Sequence, residues 1–305
     1  MTSTNLSVPL STPSLDVTGR IFLITGGTQG LGLEIASQLK RNGAAAIVLV
    51  SRSPDRMESA LKQLNGVSTG NVKEENKCII KFVKADLSDA SSASSIVPRA
   101  IDLLEEGEES LSLPQPIMIS GFVNAAATTA RGNLLSTTAD MFDEQFHTNV
   151  RGPFLVTQAA VNHMVERKVP RGIGSIVNIC SVAAHGGAPF ILGYSCSKAA
   201  LVTLTKNNAA ELGPKGIRVN AINMGWTLTE NEAKLQSAVH KNEEWWKKAD
   251  ESVPLGRILR PADVASTVMF LLSGASNMMS GSIIDLHPEY PCGMLSLNTE
   301  DNPDR

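Results

Sequence analysis

Aromatic side chains are scarce in this chain, with eight Phe, three Trp and two Tyr among 305 residues. A reactive phenol therefore has two candidates, Tyr194 and Tyr290. Cysteine is scarce as well. Its four copies (Cys78, Cys180, Cys196, Cys292) form no Cys-x-x-Cys pair, and five histidines show no ligand spacing, so the pattern excludes a metal cage and a disulfide frame. Reduced thiols in a cytoplasmic setting follow. Basic charge is not in excess: 27 Lys and Arg stand against 30 Asp and Glu, a formal net charge of −3. No Lys/Arg cluster is interleaved with aromatics, which excludes a nucleic-acid partner. No apolar run approaches the ~20 residues of a membrane helix. Residues 1–18 have neither arginine nor an apolar core and are expected to be a flexible tail, not a signal peptide; residues 291–305 read as a polar tail.

What is present is an alternation of short apolar runs with helical periodicity. Residues 20–25 (RIFLIT) lead directly into Gly26, Gly27, Gly30 and Gly32, after which Leu31, Ile35, Ala36 and Leu39 take up helical spacing. A strand, a glycine turn and a helix N-terminus can seat a pyrophosphate. A second strand, 46–51, ends at Ser51-Arg52, where a carboxylate would select NAD. A guanidinium there pairs with an extra 2′-phosphate, which makes NADP(H) the preferred cofactor and NAD(H) the alternative. Gln29 adds no second positive charge. A third strand, 78–84, precedes Asp86, either an acceptor for the adenine amine or a helix cap. A fourth, 117–124, runs into Ala125, Ala126 and Ala127. A long helix over 139–167 carries Asn149. Further strands fall at 174–180, 217–222 and 282–286, with polar excursions at 65–77 and 105–115. Strands alternating with helices predict a doubly wound α/β fold.

Tyr194 and Lys198 stand four residues apart at the start of a helical run that ends at Gly213-Pro214, so their heads share one face. An ammonium beside a phenol favours the phenolate and brings its pKa toward the range where it trades protons with a carbonyl or alcohol. Alone, such a pair is an ordinary helix surface feature.

Over residues 19–286 the chain resembles the short-chain dehydrogenase/reductase superfamily. Thr25-Gly26-Gly27-Thr28-Gln29-Gly30-Leu31-Gly32 looks like its TGxxxGxG turn, and Asn124-Ala125-Ala126-Ala127 is similar to its NNAG segment. The resemblance implies a Rossmann fold with a seven-stranded parallel sheet in the order 3-2-1-4-5-6-7, occupying residues 19–290 with a substrate lid near 229–254. It places the catalytic positions on Asn149, Ser181, Tyr194 and Lys198, the serine preceding the tyrosine by 13 residues (194 − 181). In this scheme Tyr194 exchanges the proton of the carbonyl or hydroxyl and Ser181 holds the same oxygen. Lys198 binds the nicotinamide ribose and Asn149 anchors a water that reprotonates it.

Cofactor contacts are expected from Thr25, Gly26, Thr28, Gln29, Gly30, Leu31, Gly32, Ser51, Arg52, Asp86, Leu87, Asn124, Ala125, Ala126, Tyr194, Lys198, Gly225, Thr227 and Thr229. The family's PGxxxT segment appears with Met224 in place of proline, and 285–288 (DLHP) replaces its VDGG. Substrate contacts are expected from Ser181, His185, Trp226, Trp245 and Trp246. The last two either cover the substrate or serve packing or a subunit contact, and His185 either meets a polar substrate or packs its loop. The polar lid favours a sugar, polyol or hydroxy acid. Alternatives are a 3-oxoacyl-(acyl-carrier-protein) reductase, for which Arg131 and Arg151 could meet an acidic carrier, and a cofactor-sensing scaffold without turnover. The resemblance also implies a homotetramer or homodimer built on the helices around Asn149 and Lys198.

Overall fold

The structure, a computed structural model, describes residues 15–67 and 78–288. Seven strands form one sheet: β1 (Ile21–Thr25), β2 (Ala46–Ser51), β3 (Ile79–Lys84), β4 (Ile119–Asn124), β5 (Ser175–Ser181), β6 (Arg218–Met224) and β7 (Ile283–Leu286). All pairings are parallel, in the order β3-β2-β1-β4-β5-β6-β7. This is the order the resemblance implied. A parallel strand covered on both faces needs apolar residues at every position, and the central strands comply: β1 and β4 are buried throughout.

Alternate residues feed opposite layers. Ile21 and Leu23 join a core with residues of α3 (Ala90–Glu105) and α5 (Gly152–Glu166). Phe22 and Ile24 join one with α1 (Gly30–Arg41) and α9 (Pro261–Leu272). At the strand starts, Arg20 and Arg218 are held by Ile173 O (2.7 Å) and by Ser276 Oγ (2.9 Å) and Ser273 O (3.1 Å). Burial lowers the pKa of both guanidinium groups to about 10. The opposite, carboxyl edge of the sheet is left for the site.

Three expectations change in detail. The helix over 139–167 is interrupted: α4 (Ala139–Phe146) and α5 flank a π-helical turn, His147–Arg151, that carries Asn149. Such turns widen a helix by one residue and redirect a side chain, often at functional positions. The acidic excursion 105–115 folds into a 3₁₀ turn at Glu108–Ser112. The stretch 229–254 is two helices, α7 (Glu230–His240) and α8 (Trp245–Glu251), separated at Lys241 with φ +50°. The remaining helices are α2 (Pro54–Asn65) and α6 (Leu192–Leu212). Most of the excursion at 65–77, Tyr290, Cys292 and nearly all of both tails lie outside the described residues. Among those described, no helix is long and apolar enough to cross a membrane.

Candidate active site

The strand order reverses between β1 and β4, and the connections leaving their carboxyl ends turn to opposite faces, which opens a crevice there. It is a cleft of about 410 Å³. The glycine turn forms one wall. Gly26 has φ +69°, and a Cβ on it would meet Ala126 backbone atoms at 2.9 Å. A Cβ on Gly32 would come within 2.3 Å of the Gly26 carbonyl oxygen. Both positions therefore demand glycine, and the turn lies flat against the start of α1. Thr28, Gln29, Gly30 and Leu31 complete this wall.

At the β2 corner the cleft is lined by Ser51, Arg52 and Ser53, and also by Arg56, which sequence reasoning missed. Pro54 starts α2, so Arg56 sits in its first turn while Arg52 precedes the Ser53 cap; a second arginine four residues on was the available signal. Arg52 approaches Asp86 at 3.8 Å, with 68% of its side chain exposed. Asp86 accepts from the Ser88 N–H (2.8 Å) and hydroxyl (2.7 Å) and does not cap α3, a role taken by Asp89. Burial works to raise the Asp86 pKa, but the Ser88 bonds and Arg52 outweigh it and hold the carboxyl below its usual value. Leu87, Ala125, Ala126, Met224 and Thr229 also face the cleft.

Tyr194 and Lys198 enter from α6, in its first two turns, one helical turn apart. Ser181, the last residue of β5, accepts from the Ala183 N–H at 3.2 Å and works to lower the pKa of the neighbouring phenol. The phenol's acidity departs from expectation. Burial pushes the Tyr194 pKa up to about 12, with Cys180 and Glu232 adding to the rise and the Ser181 bond only partly opposing it. The ammonium does not reverse this, because Lys198 Nζ donates to Ile179 O at 2.7 Å and lies 5.6 Å from the Tyr194 ring centroid. Burial also holds Lys198 below the usual ammonium value, with Cys180 working the other way. Cys180 lines the cleft, and burial pushes its thiol to about 11.

Beneath the cleft runs a buried polar lattice. Asn149 is fully buried. Its Oδ1 accepts from Thr128 N (2.8 Å), and its Nδ2 donates to Thr128 O (2.9 Å) and Ser197 Oγ (3.0 Å). Both amide hydrogens are thus committed to protein, tying the segment after β4 to α6. Asn124 donates to Asn178 (2.7 Å) and Thr157 (3.2 Å), and Asn178 donates to Thr205 (2.8 Å). Thr25 accepts from the Ala125 (3.2 Å) and Ala126 (3.4 Å) N–H groups. Thr25 and Asn124 therefore sit under the floor and brace it, instead of lining the cleft.

Several expected residues point elsewhere. Gly225 is buried against His287, and the Thr227 hydroxyl donates to Gly225 O at 3.0 Å, so neither lines the cleft. His185 ends a 3₁₀ turn (Val182–His185) and meets Asp285 Oδ1 at 2.9 Å, at the end of β7. It is tied to the sheet edge, with Asn223 donating to the same Asp285 oxygen (2.8 Å). Trp245 is 5% exposed and stacks on Trp226 at 5.0 Å, forming with Ala249, Val253 and Ile258 the small core of the α7–α8 segment. Trp246 packs between Lys247 and Arg260. Both tryptophans take the packing alternative. Arg151 donates to Ser88 O, and Arg131 lies over the Phe190 ring at 5.7 Å.

With this geometry in hand, the comparisons are specific. A family model described as Enoyl-(Acyl carrier protein) reductase matches residues 26–286. Carbonyl reductase [NADPH] 2 of Sus scrofa is 32% identical over 276 residues, covering 90% of this chain and 98% of that protein. L-xylulose reductase of Bos taurus is 32% identical over 270 residues, covering 88% and 96%. The crystal structure of levodione reductase superposes with a TM-score of 0.75 at 27% identity, over 89% of this chain and 97% of that one.

Proposed function

The chain belongs to the short-chain dehydrogenase/reductase superfamily, and on that premise we propose that it is an NADP(H)-dependent oxidoreductase that interconverts a carbonyl and a secondary alcohol on a polar, hydroxyl-bearing small molecule. The observation that carries the reading is the entry of Tyr194 and Lys198 into a cleft walled by the glycine turn, with Ser181 ending the β5 strand whose Ile179 and Cys180 line it. The cofactor test is geometric. Where a Cβ on Gly32 would collide with Gly26 O at 2.3 Å, the absent side chain leaves backbone N–H groups able to approach a pyrophosphate, so the turn fits a dinucleotide. Arg52 and Arg56 at the β2 corner suit a 2′-phosphate. The exposed Arg52–Asp86 pair at 3.8 Å contributes only about 0–1 kcal/mol, so it yields readily to a dianionic group. When bound, the nicotinamide supplies or accepts the hydride.

The chain's own groups handle the proton. The Ser181 hydroxyl and the Tyr194 phenol hold the carbonyl oxygen between them, and Tyr194 donates its proton as that oxygen gains charge. Lys198 sits one turn away to bind ribose hydroxyls. Because the Asn149 amide is committed to Thr128 and Ser197, its side chain braces the site and leaves any water to the backbone. A phenol with its pKa near 12 is protonated at neutral pH, which favours the reducing direction.

Two outcomes follow. The rate of carbonyl reduction should stay flat through the neutral range, since the acid form persists below the pKa. Alcohol oxidation, which needs the phenolate, should rise about tenfold per pH unit there. Parallel pH profiles for the two directions would remove Tyr194 as the proton carrier. Arg52→Asp should shift the ratio of kcat/KM for NADPH over NADH toward NADH by about tenfold or more; an unchanged ratio would make Arg52 structural.

The decisive experiment follows nicotinamide absorbance across carbonyls and alcohols with both cofactors. Turnover with NADPH on hydroxylated ketones is expected, and silence across the panel would favour a scaffold. A homo-oligomer in the cytoplasm completes the reading.

A further inference from the structure

The π-helical turn between α4 and α5 touches three parts of the molecule at once. Its closing bond runs from the Gly152 N–H to His147 O, five residues back, and the extra residue redirects the side chains around it. Thr148 lines the cleft. Asn149 enters the buried lattice beneath it. Arg151 joins neither, and its Nη2 donates to Ser88 O.

Ser88 belongs to the corner beyond β3. Its N–H and hydroxyl both donate to Asp86 Oδ1, at 2.8 and 2.7 Å, and Asp86 Oδ2 stands 3.8 Å from Arg52. Turn and corner also meet at backbone distance, since a Cβ on Gly152 would come within 2.7 Å of Leu87 O. Asp86 and Leu87 both line the cleft. A ligand that fixes this corner therefore fixes what Arg151 holds.

The same turn leads to the phenol. Asn149 Nδ2 donates to Ser197 Oγ at 3.0 Å, and the Ser197 hydroxyl donates to Tyr194 O at 2.8 Å. Ser197 is fully buried and stands between Tyr194 and Lys198 on α6. The start of α6 thus hangs from the turn that Arg151 clamps to the corner. Every link between them is a hydrogen bond or a neighbouring stretch of one short turn.

We propose that Arg151 is a positioning residue that makes the chemical step depend on the adenylate end of the cofactor: an adenosine 2′-phosphate group seated beside Arg52 and Asp86 fixes Ser88, and Arg151 passes that restraint through the π turn to Tyr194. This rests on the NADP(H) reductase reading above and goes beyond it, giving the remote half of the cofactor a part in kcat. Binding energy from a non-reacting part of a ligand raises the rate when it holds reacting groups in place, and a misplacement of about 1 Å costs about a hundredfold. The exposed contact between Arg52 and Asp86 holds the corner only weakly by itself, which leaves room for the ligand to act.

The test begins without any nicotinamide. Adenosine 2′-monophosphate, at a concentration that calorimetry shows to be saturating, should slow amide hydrogen exchange over residues 192–198 of the full-length protein by about fivefold. In Arg151→Gln and in Ser197→Ala, which cut the path at its two ends, the nucleotide should still bind within about threefold and leave that exchange unchanged. Arg151→Lys, which keeps a donor for Ser88 O, should recover most of the slowing. Turnover gives a second readout, on the ketone reduced fastest in the panel above. Arg151→Gln should lower the ratio of kcat with NADPH to kcat with reduced nicotinamide mononucleotide, which lacks the adenylate, by about tenfold. A merely structural role would lower both rates equally and leave the ratio unmoved. Circular dichroism and thermal melting establish that the variants fold. Slowing of exchange in all the proteins or in none, loss of nucleotide binding by Arg151→Gln, or an unmoved ratio would overturn the inference while leaving the reductase reading standing. No binding of the nucleotide to the unmodified protein would overturn both.

Discussion

Replacing Tyr194 with Phe is expected to lower kcat by about a hundred- to ten-thousandfold, the range a positioned general acid contributes, while NADPH affinity stays within about threefold. Phenylalanine keeps the ring and its place on α6 but removes the hydroxyl that carries the proton. No neighbour can replace the lost acid. Cys180 is 1% exposed, and burial raises its pKa to about 11. Lys198 is engaged with Ile179 O at 2.7 Å, and its Nζ lies over the ring face, 5.6 Å from the centroid. The separation of effects is what makes this test informative. Fluorescence titration reads cofactor binding, which depends on the glycine turn and the β2 corner, and nicotinamide absorbance reads turnover. Loss of binding together with turnover would make Tyr194 a structural residue, and unchanged turnover would take the chemistry away from it.

The parts of the fold and site that were legible in the sequence are those fixed by local rules. Each central strand is buried on both faces, so each appears as an unbroken apolar run, and the runs at 20–25, 46–51 and 117–124 fall within a residue or two of β1, β2 and β4. The glycine turn is legible because φ and close backbone contact leave one residue type possible there. The shared face of Tyr194 and Lys198 follows from helical spacing alone.

What was not legible depends on partners distant in the chain. His185 is aimed by Asp285, one hundred residues away, and Asn223 reinforces that carboxylate; nothing within the loop itself shows which way the imidazole turns. The tryptophans at 245 and 246 looked equally suited to cover a substrate or to pack. The choice was made by Trp226, nineteen residues earlier, against which Trp245 stacks. The phenol's pKa was read from one neighbour, the ammonium, when burial is the larger influence and the ammonium is drawn off to a β5 carbonyl. In each case the residue type was visible and its direction was not.

Gly32→Ala should abolish NADPH binding at concentrations about a hundredfold above the Kd of the unmodified enzyme, with the sheet intact. The added Cβ would lie 2.3 Å from Gly26 O, 2.8 Å from Gly26 C and 2.9 Å from Gly27 Cα. All three are backbone atoms of the same turn, so no side chain can swing aside to admit the methyl group. The turn itself must open, which lifts Gly26 off Ala126, whose backbone approaches the Gly26 Cβ position at 2.9 Å. That movement tilts the N–H groups at the start of α1 away from a pyrophosphate, and misplacing them by about 1 Å is enough to lose most of their effect on an anion. The cost to the fold is smaller, because the site of strain lies at the carboxyl edge and both cores, built on Ile21, Leu23, Phe22 and Ile24, are on the faces of the sheet. A variant that melts cooperatively near the unmodified protein and fails to bind NADPH in a fluorescence titration is the expected pair of results. Binding retained within about threefold would mean that the turn does not seat the dinucleotide, and the cofactor reading would fall with it.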